Sequence, residues 1–302
     1  MDKNTLSFSK LTDTKSDFNE VLKILNSKIG EYSENEPYFS EFLLKRKFEE
    51  LTDKKKIEIA NSTYTYKVYN YYKENINKGF EQDENRETRV SNTEMYIVVF
   101  SNKDTTQYLI SKSVSDSKGK TILRQLMGYE ASGEIETNKI SILSDKDFYL
   151  WLFYSVLNDK NNDEDITIVS IEGYRGSDRE TLTHVTGSGS ELLNLLSTLT
   201  FIFESDNINR IKLKVFYNSH YVVLSLHNNG NVKIHFSEYQ GTYDELSKGD
   251  EIANITLMSM LLILPKISAI YSQDEWDIDI FKKDIGDNVI ERIKKMTTGL
   301  GN

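Results

Sequence analysis

The chain has four histidines, the side chains best placed to exchange protons near neutral pH. Two of them stand two residues before a hydroxyl, in His184-Val185-Thr186 and His235-Phe236-Ser237. In a β-strand, side chains two apart project to the same side, so each tripeptide aligns an imidazole with a hydroxyl. Two such pairs on neighbouring strands would grip a phosphodiester. One imidazole would act as general base and the other as general acid, while the hydroxyls hold the phosphoryl oxygens.

The two tripeptides resemble the motifs of the two-histidine phosphoesterase family. The resemblance covers these six residues and implies phosphodiester cleavage, with His184, Thr186, His235 and Ser237 as the catalytic set.

A second constellation lies in residues 211–237. Ile211–Tyr217, Tyr221–Leu226 and Asn231–Phe236 alternate apolar and polar residues, joined by the turn formers Asn218-Ser219 and Asn228-Asn229-Gly230. The pattern predicts a three-stranded antiparallel meander. One face collects Ile211, Leu213, Val215, Val222, Leu224, Leu226, Val232, Ile234 and Phe236, and the opposite face carries Ser225, His235 and Ser237 with a group of cations. On that face Lys212, Lys214, Tyr221, His227 and Lys233 are the candidate ligand-binding residues, a positive surface for a phosphate, a nucleotide or a nucleic-acid strand.

Other motifs are less complete. The segment Val114-Ser115-Asp116-Ser117-Lys118-Gly119-Lys120-Thr121 ends like a Walker A loop, but Val114 stands where that loop needs a glycine. Gly187-Ser188-Gly189-Ser190 opens a helical pattern and offers backbone N–H groups to an anion. Lys45-Arg46-Lys47 and Lys54-Lys55-Lys56 have glutamates nearby and read as solvated helix faces. There is no cysteine and no histidine pair at i, i+4, so no metal site is read and the cofactor is left unknown.

Elements must position these residues. Residues 14–80 read as helical, with Phe18, Val21, Leu22, Leu25 and Ile29 as a first stripe. Phe39, Phe42, Leu43 and Phe48 follow Pro37, and Tyr64, Val68, Tyr69, Tyr72 and Ile76 continue at similar spacing. The polar stretch Glu81–Asn92 reads as a linker, dividing a helical N-terminal region (1–92) from an α/β domain (93–302). Strands are expected at Met95–Phe100, Gln107–Lys112, Lys139–Leu143, Ile166–Ile171 and Thr181–Thr186, with a turn-rich loop at Gly173–Asp178. Helices are expected at Lys118–Tyr129, from an Asp145 cap through Leu157, and from Ser190 to Phe203. Further helices, over Asp244–Tyr271 with a kink near Pro265 and over Asp279–Met296, should cover the apolar face of the meander. The fold class expected is α+β, or mixed α/β. Ile252–Tyr271 is long enough for a bilayer, but Asn254, Pro265 and Lys266 make it read as a buried core helix.

Composition narrows the setting. A chain of 302 residues can bury a large core without staples. The N-terminus has no apolar run of the signal-peptide kind, and abundant Lys, Asn and Ile point to an AT-rich bacterial genome and a cytoplasmic address. The net charge of −10 repels nucleic acid and anionic membranes overall while leaving local faces open. The function expected is a non-catalytic binding or assembly component of a bacterial cytosolic system, such as an accessory protein of phage defence or of a toxin. It would have a protein partner or a second copy of itself, would use no membrane, and would take nucleotide or nucleic acid on the basic face. The alternative is a phosphodiester-cleaving enzyme.

Overall fold

The computed structural model describes residues 5–103, 105–112, 116–158, 165–177, 184–189, 196–204 and 207–299. In chain order its elements begin β1 (Thr5–Asp13), α1 (Phe18–Asn26), β2 (Gly30–Asn35), β3 (Leu43–Glu50), β4 (Lys55–Ile59) and β5 (Ser62–Ile76). Next come α2 (Arg86–Arg89), β6 (Val90–Asn102), β7 (Thr105–Lys112), α3 (Asp116–Met127), β8 (Ile135–Asn138) and α4 (Lys146–Leu157). The remainder is β9 (Ile166–Ser177), β10 (His184–Ser188), α5 (Leu196–Glu204), β11 (Ile208–Tyr217), β12 (His220–His227) and β13 (Val232–His235), then α6 (Lys248–Met258), α7 (Leu264–Gln273) and α8 (Ile278–Gly299). Two compact units result: Leu6–Lys139 with Tyr243–Leu261, and Met1–Thr5 with Ile140–Thr242 and Leu262–Asn302.

The first unit orders its strands β1-β7-β6-β5-β3-β2, with β4 on β5 and β8 on β1, all antiparallel. On one face Phe48, Tyr69, Met95, Ile97, Val99 and Ile110 pack against Val21 and Leu25 of α1 and Leu123 of α3. Asp17 caps α1 by accepting from the N–H groups of Asn19 and Glu20, as a helix start requires. Helix α6 lies on β4 and β5, where the Tyr66 hydroxyl donates to Asp250 at 2.9 Å.

This unit overturns the expected helical N-terminal region. Among the described residues only α1 and the one-turn α2 are helical there; the described residues start on strand β1, and residues 43–76 hold β3, β4 and β5. The reason is visible in β5, where Tyr66, Lys67, Val68 and Tyr69 are all buried. A strand covered on both faces shows no period of two, so picking every third or fourth apolar residue finds a helix that is not there. Its Tyr, Val and Thr content is that of a strand. The division expected at Asn92 falls inside β6, and the supposed linker contains α2 with the fully buried Arg89.

The second unit orders its strands β10-β9-β11-β12-β13. The meander is present, with Leu213, Leu224 and Ile234 in register, and its nine apolar-face residues are all buried. The cover differs from expectation: α4 lies on β9 and β11, while α8 packs against α4 and α5. Asp145 caps α4 as expected. Phe148 and Trp151 stack there, Tyr271 meets both edge-to-face, and the Trp151 indole N–H donates to Asp274 at 2.9 Å.

Two local expectations fail. Residues Ser141–Ser144 form a 3₁₀ turn, the nearby strand being Ile135–Asn138. The expected loop at Gly173 is a continuation of β9, with Gly173 and Gly176 letting Gly187 and Phe201 approach closely. Of the strand expected at Thr181–Thr186, residues 184–186 fall in β10, while residues 181–183, like Ser190, lie outside the described residues. The apolar run Lys248–Gln273 is long and apolar enough to cross a membrane, but 67% of its most apolar window is buried, as in a core helix. Where a kink is expected the run has a π-helical stretch, Ser259–Ile263, just before Pro265, which has no N–H to continue the ladder.

Candidate functional site

His235 ends β13, and the hydroxyl it meets is not that of Ser237. Residues Phe236–Glu238 turn as a 3₁₀ helix, which breaks the strand alignment and leaves Ser237 exposed. The His235 ring instead contacts Ser225 Oγ through Nε2 at 2.8 Å, and Glu238 Oε1 and Thr5 Oγ1 through Nδ1 at 3.1 and 3.3 Å. Burial and the Lys212 charge lower its pKa, against the opposing pull of Glu238 and Glu172.

The partner motif is elsewhere. His184 opens β10, at the opposite end of a five-strand order from β13. Four strand spacings separate them by about 19 Å, several times the width of one phosphate. The two tripeptides are therefore not brought together. The side chains of His184 and Thr186 lie outside the described residues.

The cationic face is partly neutralised from within. Lys212 lies opposite Ser225, which in turn lies opposite Lys233. The Lys212 ammonium donates to both Glu238 oxygens at 2.7 and 2.9 Å and sits 3.2 Å from Glu172. Lys214 sits 5.0 Å over the Tyr221 ring, and His227 ends β12 opposite Arg210. Ser225, His235 and Glu238 stand in the hydrogen-bond order of an acyl-transfer relay. However, Ser225 is 5% exposed and lies mid-strand between two paired neighbours, so its surrounding N–H groups belong to the ladder. The cluster works as a buried polar tie.

A more open surface lies in the first unit. The register Tyr32↔Arg46↔Lys73 places these side chains in one row across β2, β3 and β5, on the face that α1 and α3 cover further along. Two depressions meet at this row and share Tyr32 and Arg46. One, of about 280 Å³, adds Glu34, Leu44, Lys45, Lys73 and Glu74; the other, of about 240 Å³, adds Lys28, Phe48, Gln125 and Leu126. Among the described residues, Lys28, Lys45, Arg46 and Lys73 make no ion pair with a carboxylate, Arg46 resting 5.8 Å from the Tyr71 ring. Glu74 is occupied: it accepts from the Lys45 N–H at 2.9 Å and from Arg86 at 3.0 Å. Burial works against its charge, but these donors outweigh it and hold its pKa below the ordinary value.

The sequence hides this groove because Lys45-Arg46-Lys47 reads as a solvated helix face, whereas the run lies on β3. On β3 the run splits, Arg46 sharing a face with Leu44 and Phe48 while Lys45 and Lys47 face away. The alternation Leu44, Arg46, Phe48 was the available signal, hidden by a charge at its centre. The Walker-like segment resolves differently. Gly119 packs against Ile110 inside α3, and the Thr121 hydroxyl donates to the Ser117 carbonyl at 2.8 Å, while Val114 and Ser115 lie outside the described residues. No protein-family model and no curated protein matches this sequence.

Proposed function

We propose that the chain is a non-catalytic binding component that holds a phosphate-bearing anion in the groove built on Tyr32, Arg46 and Lys73. The observation that carries this reading is a concave row of cations with no carboxylate partner, set beside an exposed ring on a protein of net charge −10. Lys212 is neutralised from within by Glu172 and Glu238, whereas Arg46 and Lys73 are not, and their convergence in a depression beside an exposed ring marks a place for an outside anion. On composition alone we place this component in a bacterial cytosol, as an accessory of a defence or toxin-type system with a protein partner. The enzymatic alternative gains no support from the Ser225–His235 contact, which is closed to substrate.

Calorimetric titration with pyrophosphate and with a nucleoside triphosphate tests the proposal. Binding by the native chain that falls at least tenfold in Arg46→Ala and in Lys73→Ala supports it. Absence of binding to every phosphate-bearing probe, or binding unchanged in both variants, overturns it.

A further inference from the structure

We infer that the ligand of this groove is a single strand of nucleic acid, an inference that rests on the binding reading above. The two depressions lie on either side of the shared Tyr32–Arg46 pair, and each has its own cation: Lys28 in one, Lys73 in the other. Positive charge on both sides of an aromatic ring suits successive phosphates with a base between them. A compact anion needs only one of these positions.

The ring is prepared for stacking. Tyr32 is 59% exposed, and its ring lies back over Gly30, within 3.3 to 3.5 Å of where a Cβ would stand. The missing side chain lets the ring rest along its own strand with its outer surface free. Tyr38 and Phe42, between β2 and β3 but outside both depressions, are 59% and 42% exposed, and Phe42 lies 5.1 Å from the Arg89 guanidinium. Exposed aromatics interleaved with unneutralised cations form the stacking platform that binds unpaired bases with little sequence preference. A duplex keeps its bases stacked on one another and offers nothing to Tyr32. Glu34 lines the same groove and makes no ion pair among the described residues, so it weakens the attraction.

Fluorescence anisotropy with labelled homopolymers of about four, eight and twelve nucleotides tests the inference, with pyrophosphate, a mononucleotide and duplex DNA as competitors. Affinity should rise with length, and the slope of log K against log salt should lie at about −2 to −3, as expected for three or four neutralised phosphates. Tyr32→Ala should lower affinity about tenfold through lost stacking, and Glu34→Gln should raise it. Arg46→Glu should abolish binding, with Lys73→Gln as the milder variant should Arg46→Glu alter the far-UV spectrum. Pyrophosphate or a mononucleotide bound as tightly as the longest strand, with no gain from length, overturns the inference while leaving the proposed function standing. Equal competition by duplex also overturns it. Failure of every phosphate probe overturns both.

Discussion

Arg89 is the residue whose loss the structure prices most clearly. Its side chain is fully buried, Nε donates to Glu36 Oε2 at 2.7 Å, and a terminal nitrogen donates to the carbonyls of Asp83 and Glu84 at 3.2 and 2.9 Å. The guanidinium also lies 4.0 Å from the Phe39 ring. Glu36 is 2% exposed and keeps only Arg86, at 3.0 Å, when Arg89 is gone. Arg89→Met fills a similar volume, so the main cost is a buried carboxylate and two carbonyls left short of donors. Removing one partner of a buried pair costs roughly 3–5 kcal/mol. At a urea dependence of about 2 kcal/mol per molar, the unfolding midpoint should fall by about 2 M. Far-UV circular dichroism and hydrogen exchange in β2, β3 and β6 would follow the change. Both tryptophans, Trp151 and Trp276, belong to the other unit, so their fluorescence serves as a separate reporter. Removing the carboxylate as well, in Arg89→Met with Glu36→Met, should recover much of the loss. A midpoint shift below about 0.5 M, the size expected of an exposed pair, would refute the argument.

The remaining predictions concern single contacts. His235 resists protonation in the folded chain, so its contribution to stability is present above its unfolded pKa, about 6.5, and is lost as pH falls toward the lower folded value. His235→Gln should flatten the stability profile between about pH 7 and 5; an unchanged slope, or an imidazole titrating by NMR above 6.5, would contradict this. For Asp250, burial opposes ionisation, but Lys55, Ser247 and Tyr66 outweigh it and lower the pKa. Its stabilisation should therefore be full above about pH 3.9 and decline below it, a decline that Asp250→Asn should remove from acid-unfolding curves. Gly176→Ala should destabilise by about 1–3 kcal/mol, because Phe201 fills the space a Cβ needs and its stack on Tyr174, at 4.7 Å, must open; equal thermal midpoints would show that Phe201 yields freely.

The helices capped by Asp17 and Asp145 and the meander of residues 211–237 were legible in the sequence, since each rests on residues a few positions apart. A cap needs a side-chain oxygen within one turn, and a hairpin needs alternation around a short turn. The apolar face of the meander followed from the same local rule. Elsewhere the rule gave the wrong answer: β5 is buried on both faces, so its pattern fits no single period. The candidate sites depended on tertiary structure altogether. His235 and Ser237 read as one unit along the chain, but a 3₁₀ turn separates them and the imidazole meets Ser225. The four strand steps between His184 and His235 leave no trace along the chain. The Tyr32–Arg46–Lys73 row joins residues 14 and 27 positions apart through strand register. Local sequence fixes the conformation of a segment because neighbouring atoms meet whatever the fold. Pairing order and register are chosen by burial across the whole core, and they decide which charges meet a partner and which are left to a ligand.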